Sequence, residues 1–293
     1  MKKIVKILIP LLFILVGICL LCYPWVSQYL FENSVDSVIE TYAKEAEQTD
    51  EEEKNAMLEL AIKYNTQLNQ AQVTLTDPFT KQETTTTGQI DYYSVLKVND
   101  SGLMATLEVP KISINLPVYH GTSNDVLESG AGHLEGSSVP IGGVDTHAVL
   151  SGHTGLNTAK LFTDLTEMEA GDVFFLHVLG DTLAYKVCDI FVVEPQDTSH
   201  LTIQKGRDLV SLVTCTPYGV NSHRLIVQGE RTEYTEEVYE EVRKEGSTET
   251  ESLWMKSYKN AVILGLSVVF IFALIVFILT RIRRYMIQHG EDF

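Results

Sequence analysis

A mainly β domain, preceded by helices and bracketed by two apolar helices, is the fold class this sequence predicts. Three observations predict it. Beyond Leu103, short runs rich in β-branched and aromatic residues recur between turn residues, the pattern of a closed or sandwiched β fold. Before them, apolar residues recur at helical spacing. Near each end stands an apolar run close to the ~20 residues needed to cross a hydrocarbon core.

In chain order, residues 1–25 form the first anchor. Ile7 to Trp25 is almost wholly apolar and follows Lys2, Lys3 and Lys6, while Cys22-Tyr23-Pro24-Trp25 offers no small-x-small cleavage site, so the span is expected to stay uncleaved. Residues 26–73 are helical. Val35, Val38, Ile39, Tyr42 and Ala46 make one apolar stripe, and Met57, Leu60, Ala61, Tyr64 and Leu68 make a second. The acids Asp50-Glu51-Glu52-Glu53 suit the first turn of the second helix, where the helix dipole favours negative charge. From Thr74 to Gly88 the pattern gives way to a loop of Thr, Asp, Pro, Gln and Gly.

Residues 89–231 hold the β domain, with strands expected at Ala105–Val109, Ile112–Tyr119, His147–Leu150, Asp172–Val178, Leu183–Val193, Leu209–Cys215 and Arg224–Gln228. Helical interruptions are expected at Asn124–Gly130 and Lys160–Leu165. Residues 232–258 read as an acidic stalk, helical over Thr232–Gly246. Residues 259–281 are the second anchor, uninterrupted by charge from Ala261 to Thr280, and 282–293 a tail.

Charge sets the expected topology. Lys2, Lys3 and Lys6 flank the first span and Arg281, Arg283 and Arg284 follow the second, so the positive-inside tendency puts both ends in the cytoplasm and the middle outside the cell. Of the formal net charge of −17, each end carries +3, which leaves −23 for residues 24–255. Such acidity argues against nucleic acid as a partner.

The chemistry-bearing run is Leu212-Val213-Thr214-Cys215-Thr216-Pro217-Tyr218-Gly219-Val220-Asn221-Ser222-His223-Arg224-Leu225. An apolar stretch ends on a thiol, turns through Pro and Gly, and re-enters an apolar stretch through an arginine. If the two stretches form a hairpin, sulfur and guanidinium meet at one mouth. A cation stabilises the thiolate, which is the competent nucleophile, and such a nucleophile usually works with a histidine as proton carrier. His153, in Ser151-Gly152-His153-Thr154-Gly155 after the apolar Ala148-Val149-Leu150, is the candidate. Taken one at a time, each residue has a plainer explanation: a small buried hydrophobe for Cys215, an ordinary loop residue for His153, an edge charge for Arg224. Their combination points to a site.

On Thr-Cys followed nine positions later by Arg, and on the upstream Ser-Gly-His-Thr-Gly, the chain over roughly residues 75 to 230 resembles the sortases, cysteine transpeptidases of Gram-positive cell surfaces. The resemblance implies a closed β-barrel with short helices. It implies Cys215 as nucleophile, His153 as general acid and Arg224 as the cation that steadies substrate and oxyanion. It also implies no metal or organic cofactor, and an LPxTG-like sorting signal cleaved after Thr. The second anchor resembles the layout of pilin-polymerising, class C sortases, which implies pilin subunits as partners and a lysine amine as acceptor.

Asp77-Pro78-Phe79 is a further signal. Pro78 fixes its own φ and keeps Asp77 out of helical geometry, so a carboxylate and a ring stand two positions apart on a stiff segment. Read alone, this is an ordinary surface turn. The class C resemblance implies a lid over residues 74–88, with Asp77 paired to Arg224 and Phe79 covering Cys215.

Among the four cysteines, Cys19 and Cys22 lie in the first span as apolar filler, and Cys188, in a predicted strand, reads as a buried structural thiol; a Cys188 to Cys215 disulfide stays open. His223 is expected on the opposite strand face from Arg224, and His120 and His133 in loops. Competing functions are a housekeeping-type sortase acting on cell-wall precursor, and an L,D-transpeptidase, whose Ser-x-Gly-Cys-x-Arg pattern Val213 to Pro217 does not match. Two others are a zinc module built from Cys215, His223 and His153, whose spacing fits no common template, and a non-catalytic pilus-base or adhesion scaffold.

Overall fold

The computed structural model describes residues 2–71, 73–80, 90–156, 159–248 and 253–289. They fall into two compact units, Met1–Leu21 with Glu251–Phe293, and Cys22–Thr250. In the first unit many helical side chains are apolar and exposed, among them Leu12, Leu15, Leu20, Phe270 and Phe272. Tyr258 donates its hydroxyl proton to the Leu21 carbonyl at 2.7 Å. Helices long and apolar enough to cross a membrane run over Leu15–Gln48 and Tyr258–Arg283, compatible with membrane anchoring; so much exposed apolar surface is otherwise a liability in water.

The helices are α1 (Lys2–Gln48), α2 (Glu51–Ala71), α3 (Asn124–Ser129), α4 (Glu236–Thr248) and α5 (Leu253–His289). The first apolar run and the following amphipathic stripe thus belong to one uninterrupted helix. Of that stripe, Val35, Tyr42 and Ala46 are buried, and the Tyr42 hydroxyl bridges the Met104 carbonyl and the Leu179 amide of the β domain. In α2 the acids occupy the first turn as expected, with Asp50 accepting from the Glu53 amide at 2.8 Å as an N-cap. Asn65 of α2 makes two hydrogen bonds to the Val139 backbone.

Eight strands close into a barrel: β1 (Leu103–Val109), β2 (Ile114–His120), β3 (Ala131–His133), β4 (Thr146–Ser151), β5 (Val173–Val178), β6 (Asp181–Val193), β7 (Asp208–Thr216) and β8 (His223–Thr232). The order is β1-β2-β3-β4-β7-β8-β6-β5, closed by the β1–β5 pair. Pairing is antiparallel except for β2–β3 and β4–β7. Closure pairs every edge, so no strand is left as a template for aggregation.

Four sequence expectations need correction. Ala131-Gly132-His133 is a strand, missed because a three-residue run with a glycine carries no alternation. The stretch from Ile112 is not all strand: Pro110–Ile112 is a 3₁₀ turn that leaves through Ser113 in the left-handed region at φ 51°, and β2 begins at Ile114. His120 and His133 are not loop residues, since they end β2 and β3 and are buried. The helical turn expected at Lys160–Leu165 lies at Thr163–Glu167.

Inside the barrel, Leu107, Val118, Leu150, Leu176, Leu212 and Val227 share one apolar core. A second, smaller cluster of Leu75, Leu134, Val149, Leu201, Val213 and Ile226 covers the other face of β4, β7 and β8. Burial on both faces accounts for the consecutive apolar residues Ala148-Val149-Leu150 of β4 and Leu209-Val210 and Leu212-Val213 of β7, which alternation alone would not produce.

Candidate active site

Cys215 and Arg224 are direct partners across the antiparallel β7–β8 pair. In such a pair, opposed side chains leave the sheet on the same side, about 5 Å apart at Cβ. The connecting turn is held by the Val220 and Asn221 amides on the Pro217 carbonyl, at 3.0 and 2.9 Å. Asn221 (φ 59°) and Gly219 (φ 73°) take left-handed conformations there. The turn also aims the arginine, because Arg224 Nη1 donates to the Asn221 and His223 carbonyls at 3.1 Å each.

His153 arrives from the neighbouring strand. β4 runs parallel to β7, ending with Ser151 opposite Val213. The contact continues past the strand end: the Gly152 amide donates to the Val213 carbonyl at 3.1 Å, and Thr214 Oγ1 donates to the Gly152 carbonyl at 2.7 Å. Gly152 is required here, since a Cβ would lie 2.7 Å from the Phe162 ring. On the far side the His153 carbonyl accepts from the Phe162 amide at 3.0 Å. The backbone of His153 is therefore clamped beside the end of β7 that carries Cys215.

The described part of the 74–88 segment lies on this site; residues 81–88 fall outside the described residues. Asp77 grips Arg224 with both oxygens, Oδ1 to Nε at 2.8 Å and Oδ2 to Nη2 at 2.7 Å. The two side chains are only 5% and 11% exposed. Phe79 approaches both other groups, with its ring centroid 5.9 Å from that of His153 and 5.1 Å from the Arg224 guanidinium carbon. Leu75 anchors the segment from behind: its side chain is part of the outer apolar cluster, and its carbonyl accepts from Thr198 Oγ1 at 3.1 Å. Sequence reasoning passed over Leu75, although it is the one aliphatic residue between Thr74 and Phe79. Thr214 entered only as part of the Thr-Cys motif, with no role for its hydroxyl, which ties β7 to the histidine loop.

Burial pushes the Cys215 thiol above its ordinary range; the Arg224 cation pulls it back down and the Asp77 carboxylate pushes it further up. Burial lowers His153, against a weaker opposing pull from Glu128. Both shifts favour the neutral pair, thiol and imidazole, over thiolate and imidazolium.

A sortase-domain family model matches residues 107–232. Sortase C-1 of Streptococcus pneumoniae superposes with a TM-score of 0.61 at 41% identity, covering 68% of this chain and 100% of that one. The chain belongs to the sortase family. Sortase C1 of Streptococcus agalactiae matches at 42% identity and a TM-score of 0.62, covering 68% of this chain and 100% of that one. Sortase C-1 of Actinomyces oris matches at 44% and 0.57, covering 61% and 99%. The structural neighbours of this sortase are thus class C members. Among curated proteins it is 34% identical to sortase D of Bacillus subtilis over 128 residues, 43% of this chain and 62% of that relative's length.

Other groups in this sortase stand apart from the site. Cys188 is a half-buried free thiol beside a bulge in β6, so neither full burial nor a bridge to Cys215 holds; Arg207 Nη2 approaches it at 3.4 Å. His223 pairs across the sheet with Thr216 and meets Ser222 Oγ at 2.9 Å. No cluster of three or more metal-ligating side chains occurs among the described residues.

Proposed function

We propose that this chain is a membrane-anchored cysteine transpeptidase of the pilin-polymerising kind. Cys215 gives its thiol proton to His153, and the thiolate so formed attacks the carbonyl after Thr in an LPxTG-like sorting signal. Arg224 and backbone N–H groups stabilise the oxyanion, and His153 protonates the departing amine, leaving a thioester on Cys215. A lysine amine of a second pilin subunit then attacks that thioester, its proton passing to His153, and an isopeptide bond forms as the thiol is released. Thiol, imidazole and guanidinium supply the acyl chemistry. The observation that carries this reading is the direct cross-strand pairing of Cys215 with Arg224 beside the clamped backbone of His153.

Residues 74–88 act as a lid in this scheme. Asp77 occupies the guanidinium that the oxyanion would need, and Phe79 occupies space next to the imidazole. The neutral thiol and imidazole suit a resting enzyme. The two apolar helices hold the catalytic barrel outside the cell with both termini in the cytoplasm, an arrangement supported by the flanking Lys and Arg residues.

Intact-mass detection of a covalent adduct between the protein and a Leu-Pro-x-Thr-Gly peptide tests the reaction. An adduct that disappears in Cys215→Ala is expected; persistent acylation in that variant removes Cys215 from its role. Incubation with pilin pairs should then give a ladder of high-mass products, and a non-catalytic scaffold would give neither result.

A further inference from the structure

Four buried side-chain polar atoms lack a hydrogen-bond partner among the described residues: Tyr64 OH, Gln67 Oε1, Ser151 Oγ and Asp164 Oδ2. The first two belong to α2, and Asp164 Oδ2 lies 2.8 Å from the Lys160 ammonium. Ser151 differs from all of them in its position. It is completely buried, ends β4, and sits opposite Val213, two residues before Cys215 on β7.

Side chains alternate along a strand, so Ser151 shares a face with His147 and Val149, and Cys215 shares a face with Ser211 and Val213. These are one face of the sheet, because Val149 and Val213 belong to the same outer cluster and His147 Nε2 lies 2.8 Å from Ser211 Oγ. The same cluster receives Leu75 and Phe79 of the lid. Its other polar groups are satisfied: His147 Nδ1 meets the Thr202 carbonyl at 2.8 Å, and Gln228 donates to the His200 carbonyl at 3.1 Å. Among the described residues of this face, Ser151 holds an unanswered hydroxyl.

We propose that the Ser151 hydroxyl positions the substrate, hydrogen-bonding a backbone amide of the sorting peptide when the lid has left. The assignment rests on the transpeptidase reading above and deepens it. Adjacent strands lie about 4.8 Å apart and residues rise about 3.3 Å, which puts the Ser151 and Cys215 backbones roughly 8 Å apart. An extended peptide with its scissile carbonyl on the sulfur can therefore lay backbone two or three residues away over the hydroxyl. Backbone recognition suits a site that must accept a variable residue within its pentapeptide. An orphan buried hydroxyl is also cheap to retain only if another state answers it.

The test uses full-length protein in detergent micelles with a fluorescent Leu-Pro-x-Thr-Gly peptide, comparing Asp77→Ala with Asp77→Ala/Ser151→Ala so that lid opening is common to both. The double variant should raise KM about five- to twentyfold, the effect of one lost hydrogen bond, with kcat within about twofold. Its melting temperature and the iodoacetamide alkylation rate of Cys215 should match those of Asp77→Ala. Equal KM values in the two proteins overturn the assignment. So does a lowered melting temperature together with slower alkylation, which marks a structural role. If Asp77→Ala itself forms no thioester with the peptide, the transpeptidase reading fails and the role of Ser151 falls with it.

Discussion

Asp77 and Arg224 lie 147 residues apart in sequence and form a two-point ion pair, nearly buried, at 2.7 and 2.8 Å. The guanidinium is always charged and its fork matches a carboxylate, so the pair fixes the described part of the lid to the mouth of the β7–β8 hairpin. Removing one partner of a closed buried pair costs about 3–5 kcal/mol. Here the loss is smaller, about 1–2 kcal/mol, because a released lid lets water reach Arg224.

Asp77→Ala should therefore release the lid without unfolding the barrel. Alkylation of Cys215 by iodoacetamide is expected to quicken about tenfold, the kinetic counterpart of a 1.4 kcal/mol change in lid closure, while the melting temperature falls by only a few degrees. Mass spectrometry of the labelled thiol over time, beside a thermal melt, checks both. An unchanged rate in a folded variant would sink the gating idea.

The same substitution should change the pH dependence of labelling. In the closed form, burial and the Asp77 carboxylate hold the Cys215 thiol protonated above its ordinary range, with Arg224 opposing. The thiolate reacts, so labelling of the parent protein should rise only on the alkaline side of the usual thiol pKa. Asp77→Ala admits water, deletes the negative charge and leaves the cation, and all three changes favour the thiolate. Its labelling midpoint should move to lower pH; a midpoint that stays put or rises contradicts the electrostatic account.

How far the sequence carried this site depends on which residues are asked about. Cys215 and Arg224 were legible because a hairpin with Pro and Gly in its turn brings its two strand ends together. His153 was legible because an apolar run ended just before it. The pairing of Asp77 with Arg224 was expected from the class C resemblance, since Asp77-Pro78-Phe79 read alone is an ordinary turn. What the sequence did not disclose were contacts that depend on three-dimensional register. The Gly152 to Thr214 link exists because β4 and β7 are parallel neighbours, which a separation of 62 positions conceals. The three-residue β3 has too few side chains to display a period. The merging of the first apolar run with the amphipathic stripe in α1 was hidden as well, since a change in composition was read as a boundary although the backbone has no break there.

Gly152→Ala probes that concealed link. The added methyl would meet the Phe162 ring at 2.7 Å, and neither side has slack: the ring is fully buried, and the glycine carbonyl and amide are both tied to β7. Overpacking of this kind costs about 1–3 kcal/mol. A displacement of His153 near 1 Å should lower the rate of thioester formation by about a hundredfold. A variant with normal acylation kinetics would show that the histidine loop tolerates movement.

The barrel should also lose stability in mild acid, for reasons unrelated to the active site. His133 and His147 are buried and neutral, each lowered to about 4 from 6.5 by desolvation. Each ring also meets a fixed carbonyl, Ser138 for His133 and Thr202 for His147, at 2.8 Å, a contact that opposes the desolvation without cancelling it. The unfolded chain takes up protons at these rings near pH 6.5 while the folded chain resists until about pH 4. Their stabilisation is therefore complete above the unfolded value and is lost as the pH falls through that window, at about 1.4 kcal/mol per pH unit for each ring. Urea unfolding at pH 7 and at intermediate acidities should show this slope. His147→Gln, whatever its effect at pH 7, should flatten it by about half, because one of the two titrating rings is gone; an unchanged slope in that variant would place the acid sensitivity elsewhere.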